Sequence, residues 1–231
     1  MEKVGWITHL HNPMVGCTHY CSYCWARRLA KRQRKRCQLC YEFKPHLHPE
    51  RLERVPKEGF VFCCDMGDFA CADFRDMVPV LNAIDHSPAT FLLLTKNPKR
   101  LRFLAETKYL PSNVVAAATV ETDLDFVAKA VSRAPPPTTR LKEMWLLDWP
   151  RKAIAVEPVL SFSDPARFAK LIADCVEGTK EHVVWVGYDN YNNRLPEPPL
   201  DHVEALVREL KDRGVNVSTK TLRKAWWEGD G

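Results

Sequence analysis

Residues 14–43 read MVGCTHYCSYCWARRLAKRQRKRCQLCYEF. Cys17, Cys21 and Cys24 stand at the spacing C-x3-C-x2-C, and Cys37 and Cys40 follow at C-x2-C. Thiolates are soft ligands suited to iron–sulfur clusters and zinc. A closed structural zinc site takes four protein ligands. The first group supplies three on one loop, directly after a predicted strand. Three thiolates on a cubic four-iron, four-sulfur cluster leave one iron open to a substrate or cofactor.

The chain has 231 residues, and 45% of them are hydrophobic, enough for one sizeable core and too many for a disordered chain. There is no run of about 18 apolar residues, so no transmembrane helix and no membrane partner is expected. The start, MEKVGWITHLHNP, lacks the apolar stretch of a signal peptide, which points to the cytosol. In a reducing compartment clustered cysteines bind metal or do chemistry more often than they form disulfides. There are nine cysteines, an odd number, and eight precede residue 72. The net charge is +5, too small by itself to imply a nucleic-acid partner. It is unevenly spread, because seven of the ten residues 27–36 are Lys or Arg.

Beyond the cysteines, short β-rich runs alternate with helical ones. Strands are predicted at 4–10, 59–65, 89–95, 113–120, 152–158, 182–188 and 215–219. Helices are predicted at 73–86, 123–134, 164–178 and 199–214. Asp73, Asp123 and Asp164 stand at helix starts, Pro165 at a first turn, and Gly178 and Gly214 at helix ends. The segment APPPTTR (134–140) reads as a stiff connector inside one domain. This rhythm argues for a parallel α/β sheet, either a partial (β/α) barrel of about six strands or a doubly wound sheet. The expected organisation is a single domain over 1–231 with a cysteine-containing basic insertion at about 27–50. Polar residues gather where the strands end: Asp65, Asp68, Thr95, Lys96, Glu121, Glu157, Tyr188, Asp189 and Lys220. In parallel α/β folds ligands sit at those ends. Polar residues are also natural wherever strands meet water.

The triplet Cys17, Cys21 and Cys24, with aromatic Tyr23 before the third cysteine, resembles the cluster loop of the radical S-adenosylmethionine (radical SAM) superfamily. A closer resemblance, to a phage- and prokaryote-encoded radical-SAM-like family, is carried by HNPMVGCTHYCSYCWARR, FKPHLHPERL, FLLLTKNPKRL, TVET and AVEPVL. The resemblance implies a radical-SAM-like partial barrel whose three cysteines hold a 4Fe-4S cluster. That cluster would cleave S-adenosylmethionine reductively to methionine and a 5′-deoxyadenosyl radical, which abstracts hydrogen from a substrate. It implies that Tyr23 lies near the adenine. It also implies that the turn after the second strand holds the methionine amino group through its backbone. That turn, often Gly-Gly-Glu, here reads Met66, Gly67, Asp68. By the same resemblance Lys96, Glu121 and Glu157 face cofactor or substrate. Where the family often ends its sixth strand in a Gly-Gly-Glu-like turn, this chain has VGYDNYNNRLPEPPL.

Tyr188, Asp189 and Lys220 are candidates for substrate contact, since a Tyr or Lys can move a proton and a Lys can hold an anion. Structural hydrogen bonding at the strand ends is the competing reading for each. Cys37 and Cys40 are candidates for a second metal, zinc or an auxiliary cluster. His46 and His48, or Cys63, Cys64 and Cys71, are candidate partners, although H-x-H is tighter than usual zinc spacing. The resemblance carries HPERL without that cysteine pair, which leaves a structural role open for His48. Cys63, Cys64 and Cys175 otherwise read as packing residues. The basic run can be a solvated face, a dock for an acidic electron donor such as flavodoxin or ferredoxin, or a nucleic-acid contact. A metal-stabilised, zinc-containing nucleic-acid-binding protein without turnover is the alternative to an enzyme. Trp226 and Trp227 are adjacent and on a helix could not share a face, so one is expected to be exposed.

Overall fold

In the computed structural model, residues 7–179 and 183–229 are described. Val4 to Trp6 of the first predicted strand and His182 of the sixth lie outside them. The strands are β1 (His9–His11), β2 (Met14–Val15), β3 (His46–Leu47), β4 (Phe60–Cys63), β5 (Thr90–Thr95), β6 (Val114–Thr119), β7 (Lys152–Val156), β8 (Val183–Gly187) and β9 (Asn216–Lys220). The α-helices are α1 (Trp25–Ala30), α2 (Gln38–Glu42), α3 (Phe74–Asp85), α4 (Pro98–Glu106), α5 (Asp125–Val131), α6 (Pro137–Leu146), α7 (Pro165–Val176) and α8 (Leu200–Asp212). No described helix is long and apolar enough to cross a membrane.

Seven strands form one sheet in the order β1-β4-β5-β6-β7-β8-β9, and every neighbouring pair is parallel. That order separates the two architectures that periodicity leaves open. A doubly wound sheet reverses its strand order at a switch point. Here the order only advances, and the sheet curls into a half-barrel. β2 and β3 pair antiparallel in a separate ribbon, with Met14 opposite Leu47 and Val15 opposite His46.

The pleat sends alternate residues to opposite faces. Phe91, Leu93, Val114, Ala116, Ile154, Val156, Val184 and Val186 belong to the large core shared with the helices. Leu92, Val115, Ala117, Ala153, Ala155 and Trp185 form a second cluster on the other face. Three of those six are alanines, so the concave side is not filled by its own side chains.

The helices present the expected apolar stripes. α3 buries Met77, Val80, Leu81 and Ile84, and α8 buries Val203, Leu206, Val207 and Leu210. At α7 the Asp164 carboxylate accepts from Arg167 N at 2.9 Å and Pro165 fills the first turn. Asp73 sits at the start of α3 but makes no side-chain cap bond. Asp123 does not cap α5, which begins at Asp125. Its carboxylate instead accepts from Ser163 N and Oγ, tying the loop after β6 to the loop after β7. The expected connector at 134–140 is partly helix, because Pro137 opens α6, where a fixed φ and a missing N–H cost nothing. The tryptophan pair lies outside any helix, and both rings are about half exposed.

Asp164→Ala is expected to lower unfolding stability by about 1 kcal/mol, read as a drop in urea midpoint at unchanged slope. Asp73→Ala, which removes no cap bond, should shift it by less than about 0.5 kcal/mol.

Candidate functional site

A cavity of about 610 Å³ opens at the carboxyl ends of the strands, within the ordinary size range of ligand sites. Leu92, Leu94, Ala155 and Trp185 of the concave sheet face contribute apolar wall. Cys17, Cys21 and Cys24 line it from the loop that leaves β2, and Glu157 and Lys220 line it from the ends of β7 and β9.

The cysteine loop lies hard against the turn after β4. Gly16 N donates to Met66 O at 3.2 Å, and Asp68 N donates to Gly16 O at 3.1 Å. A Cβ on Gly67 would lie 2.5 Å from Gly16 O. A Cβ on Gly16, whose φ is +100°, would lie 2.2 Å from Lys44 O. Only glycine fits either position.

The Asp68 side chain secures this junction. Its Oδ1 accepts from Ala70 N at 3.0 Å and Thr95 Oγ1 at 2.6 Å, and its Oδ2 accepts from Lys96 N at 2.9 Å. Oδ2 also stands 3.0 Å from His19 Nε2. Burial opposes the His19 imidazolium, but its bonds to Asp68 and Cys71 outweigh burial and push the pKa up to about 10. Cys71 Sγ lies 3.4 Å from His19 Nε2 and 3.9 Å from Cys17 Sγ. Cys71, one alternative partner for Cys37 and Cys40, stands instead with the cysteine loop. Cys63 and Cys64 are buried against each other.

Glu121 is 1% exposed and is not part of the cavity wall. Tyr23 Oη donates to it at 2.6 Å, Arg140 Nη1 at 2.7 Å, and Lys96 Nζ lies 3.2 Å away. Burial alone would raise its pKa. The guanidinium of Arg140, the ammonium of Lys96 and the Tyr23 hydroxyl together hold it well below the usual carboxylate range. Glu121 thus orients Tyr23 and Lys96, which do line the cavity. Lys96 Nζ also stands 5.6 Å from the Tyr23 ring centre.

Glu157 and Lys220 pair at 2.8 Å, and Asn190 Nδ2 donates to the same carboxylate oxygen at 3.2 Å. Both side chains are about one-fifth exposed, at the mouth. Tyr188 and Asp189 touch the cavity, but their polar atoms serve the following loop. Tyr188 Oη donates to Pro198 O at 3.0 Å, and Asp189 accepts from Asn193 N at 2.6 Å and Nδ2 at 2.8 Å. Met66 packs against the small cluster of Ala26, Ala30 and Phe43, as Cys17 and Cys24 do. Cys37 and Cys40 gather with His46 and His48, away from the cysteine triplet.

The basic run is not one uniform face. Arg27 Nη2 donates to Cys17 O at 3.0 Å, and its guanidinium covers the Tyr20 and Phe43 rings. Arg28 Nη1 donates to Asn193 at 2.7 Å. Lys31, Arg32, Arg34, Lys35 and Arg36 are exposed. Sequence reasoning missed His19 and Arg140. The first sits two residues from a cysteine, a usable signal. The second carries no local mark, since its role needs β6 and α6 packed together.

The family model described as Protein of unknown function (DUF5131) matches residues 1–140. No curated protein matches the chain. Among solved structures, it is similar to spore photoproduct lyase complexed with dinucleoside spore photoproduct, at 11% identity and TM-score 0.53. That match covers 86% of this chain and 59% of the lyase chain. It is similar to Streptococcus suis SuiB bound to S-adenosylmethionine, at 12% identity and TM-score 0.55, covering 98% of this chain and 54% of the other. SuiB bound to precursor peptide SuiA gives 13% identity and TM-score 0.55, covering 94% and 49%. These are radical SAM enzymes, and the partial barrel is the fold the chain shares with them. The chain spans about half to three-fifths of their length.

Glu121→Gln should cost about 3–5 kcal/mol, because it leaves two buried cations short of their counter-charge. A group with a depressed folded pKa stabilises above its unfolded value, near 4.3, and loses that contribution as pH falls toward the folded value. Wild-type stability should therefore drop more steeply than the variant's below about pH 4 in urea titrations.

Proposed function

The chain belongs to the family described as Protein of unknown function (DUF5131), and we propose that it is a radical SAM enzyme. The observation that carries this reading is the convergence of Cys17, Cys21 and Cys24, from one loop, on a cavity at the carboxyl ends of a radical-SAM-like sheet. The donor set fits a 4Fe-4S cluster, with three thiols of intermediate exposure facing one cavity that has room beyond them. When bound, the cluster supplies the electron that cleaves S-adenosylmethionine reductively.

This chain's own residues would bind and orient. Tyr23, held by Glu121, offers a fixed aromatic face for the adenine. The backbone of Met66 and Gly67 borders the place for the methionine moiety, and Asp68 keeps that turn against the cysteine loop. Lys96 and Glu121 act as a positioning pair, the lysine reaching the cavity and the carboxylate standing behind it. Glu157 and Lys220 face the mouth, where each can exchange its partner for a ligand group or move a proton. Tyr188 and Asp189 shape the loop bordering the mouth. The apolar sheet face excludes water from the reacting centre. The exposed cations from Lys31 to Arg36 suit an acidic electron donor.

The test is anaerobic. The protein is reconstituted with iron and sulfide, given dithionite and S-adenosylmethionine, and 5′-deoxyadenosine is measured by mass spectrometry. The expected result is iron and sulfide incorporation with nucleoside formation, both falling to background in the triple Cys17→Ala, Cys21→Ala, Cys24→Ala variant. Undiminished iron loading in that variant would sink the assignment of the ligands. A colourless protein that holds only zinc and shifts nucleic acid on a gel would favour the binding-protein alternative. With an acidic protein donor replacing dithionite, turnover should fall as salt rises, because exposed charges are screened.

A further inference from the structure

Four metal-type donors lie behind the cysteine loop and take no part in the chemistry above. We propose that Cys37, Cys40, His46 and His48 form a tetrahedral zinc site that braces the cysteine loop from behind.

The geometry is that of a coordination shell. Cys37 Sγ lies 3.5 Å from His46 Nε2, Cys40 Sγ lies 3.4 Å from the same atom, and Cys40 Sγ lies 3.1 Å from His48 Nε2. The two Nε2 atoms are 2.9 Å apart, and all four donor atoms lie within 4.8 Å of one another. Zinc bonds of about 2.3 Å to sulfur and 2.0–2.1 Å to nitrogen give tetrahedral edges of about 3.6 Å for S···N and 3.3 Å for N···N. The four separations fall within about half an ångström of those edges. Donors this close surround one ion; a multi-iron cluster would need its ligands further apart. Two thiolates with two imidazoles in a tetrahedron select zinc.

The outer partners settle which nitrogens are available. His46 Nδ1 faces Lys44 O at 2.8 Å, and His48 Nδ1 faces Glu50 Oε1 at 3.0 Å. A carbonyl and a carboxylate only accept, so each Nδ1 donates there and the Nε2 of a neutral ring is left to ligate a metal. The two Nε2 atoms, 2.9 Å apart, face a common point that one metal ion can occupy. Cys40 N donates to Cys37 Sγ at 3.4 Å, which fixes the direction of that sulfur.

The same segment supports the cysteine loop. His46 is paired with Val15 in the β2–β3 ribbon, two residues before Cys17. Cys17 N donates to Phe43 O at 3.1 Å, and Cys17 and Cys24 pack against the cluster of Ala26, Ala30 and Phe43. Gly16 abuts Lys44 O with no room for a Cβ. One ion therefore closes Cys37–His48 into a rigid plate under the loop.

Zinc and iron are measured by plasma mass spectrometry on four anaerobically purified proteins: wild type, Cys37→Ser/Cys40→Ser, Cys71→Ser, and the triple Cys17→Ala, Cys21→Ala, Cys24→Ala variant. About one zinc per chain is expected in all but the Cys37→Ser/Cys40→Ser variant, where it should fall at least about tenfold, since two of four ligands are gone. Zinc retained in that variant, or lost in Cys71→Ser, would place the ion elsewhere and overturn the site. Zinc in the triple variant keeps this result independent of the cluster reading. Should the double variant fail to fold, zinc-edge X-ray absorption on wild type must give two sulfur and two nitrogen neighbours; any other shell overturns the proposal. Chelating zinc from wild type should speed amide exchange in the 14–24 peptide at least about tenfold, the mark of a brace released. Unchanged exchange overturns the bracing role.

Discussion

The buried carboxylate of Asp68 is the constraint on which the mouth of the half-barrel depends. It takes donors from its own turn, from the end of β5 and from His19 in the cysteine loop. Three pieces of chain distant in sequence thereby share one anchor. A buried carboxylate is tolerated only when its lone pairs are met, so the bonds hold one another in place. The touching backbones of Gly16 and Gly67 make the junction tight, and the carboxylate keeps it in register. The position of the cysteine triplet relative to the sheet follows from this contact.

A second buried carboxylate, Glu121, works from behind the cavity wall. It is surrounded by two cations and a phenol. Buried ion pairs return little net stability once desolvation is counted. What this one supplies is orientation: Tyr23 and Lys96 are each held by the same carboxylate, and Arg140 ties it to Thr119 O. The cavity wall is thus polar where an ordered ligand would need direction and apolar where the sheet faces it.

The loop after β8 is secured from the carboxyl-terminal side. Arg223 grips Glu197 through both nitrogens at 2.8 Å. The Trp226 and Trp227 indoles donate to Leu195 O at 2.7 Å and Glu197 O at 2.9 Å. The adjacent tryptophans, half exposed on one side, bind this loop through their N–H edges. Asp189 is ordered from the same side, since Arg223 Nη2 also donates to its carbonyl at 3.0 Å. The tail after β9 acts as a strap over this loop.

What the sequence determined by itself was local. Alternation of apolar residues marked the strands of the sheet, and the capping signals of Asp164, Pro165 and Gly214 marked α7 and the end of α8, because pleat, helix period and caps act within a few residues. The cysteine triplet was legible for the same reason: its spacing lies within one loop. Tertiary structure decided what depends on distant partners. Period alone could not choose a half-barrel over a doubly wound sheet, since strand order is a property of the assembled sheet. It could not tell that Asp123 would leave its helix to bind Ser163, or that Pro137 would open a helix whose Arg140 reaches Glu121. Nor could it send Cys71 to Cys17 or Glu121 behind the cavity wall, or choose His46 and His48 over Cys63, Cys64 and Cys71 as the partners of Cys37 and Cys40. Those assignments turn on burial: once a polar group loses water, it must find its partner among whatever segments the fold brings near.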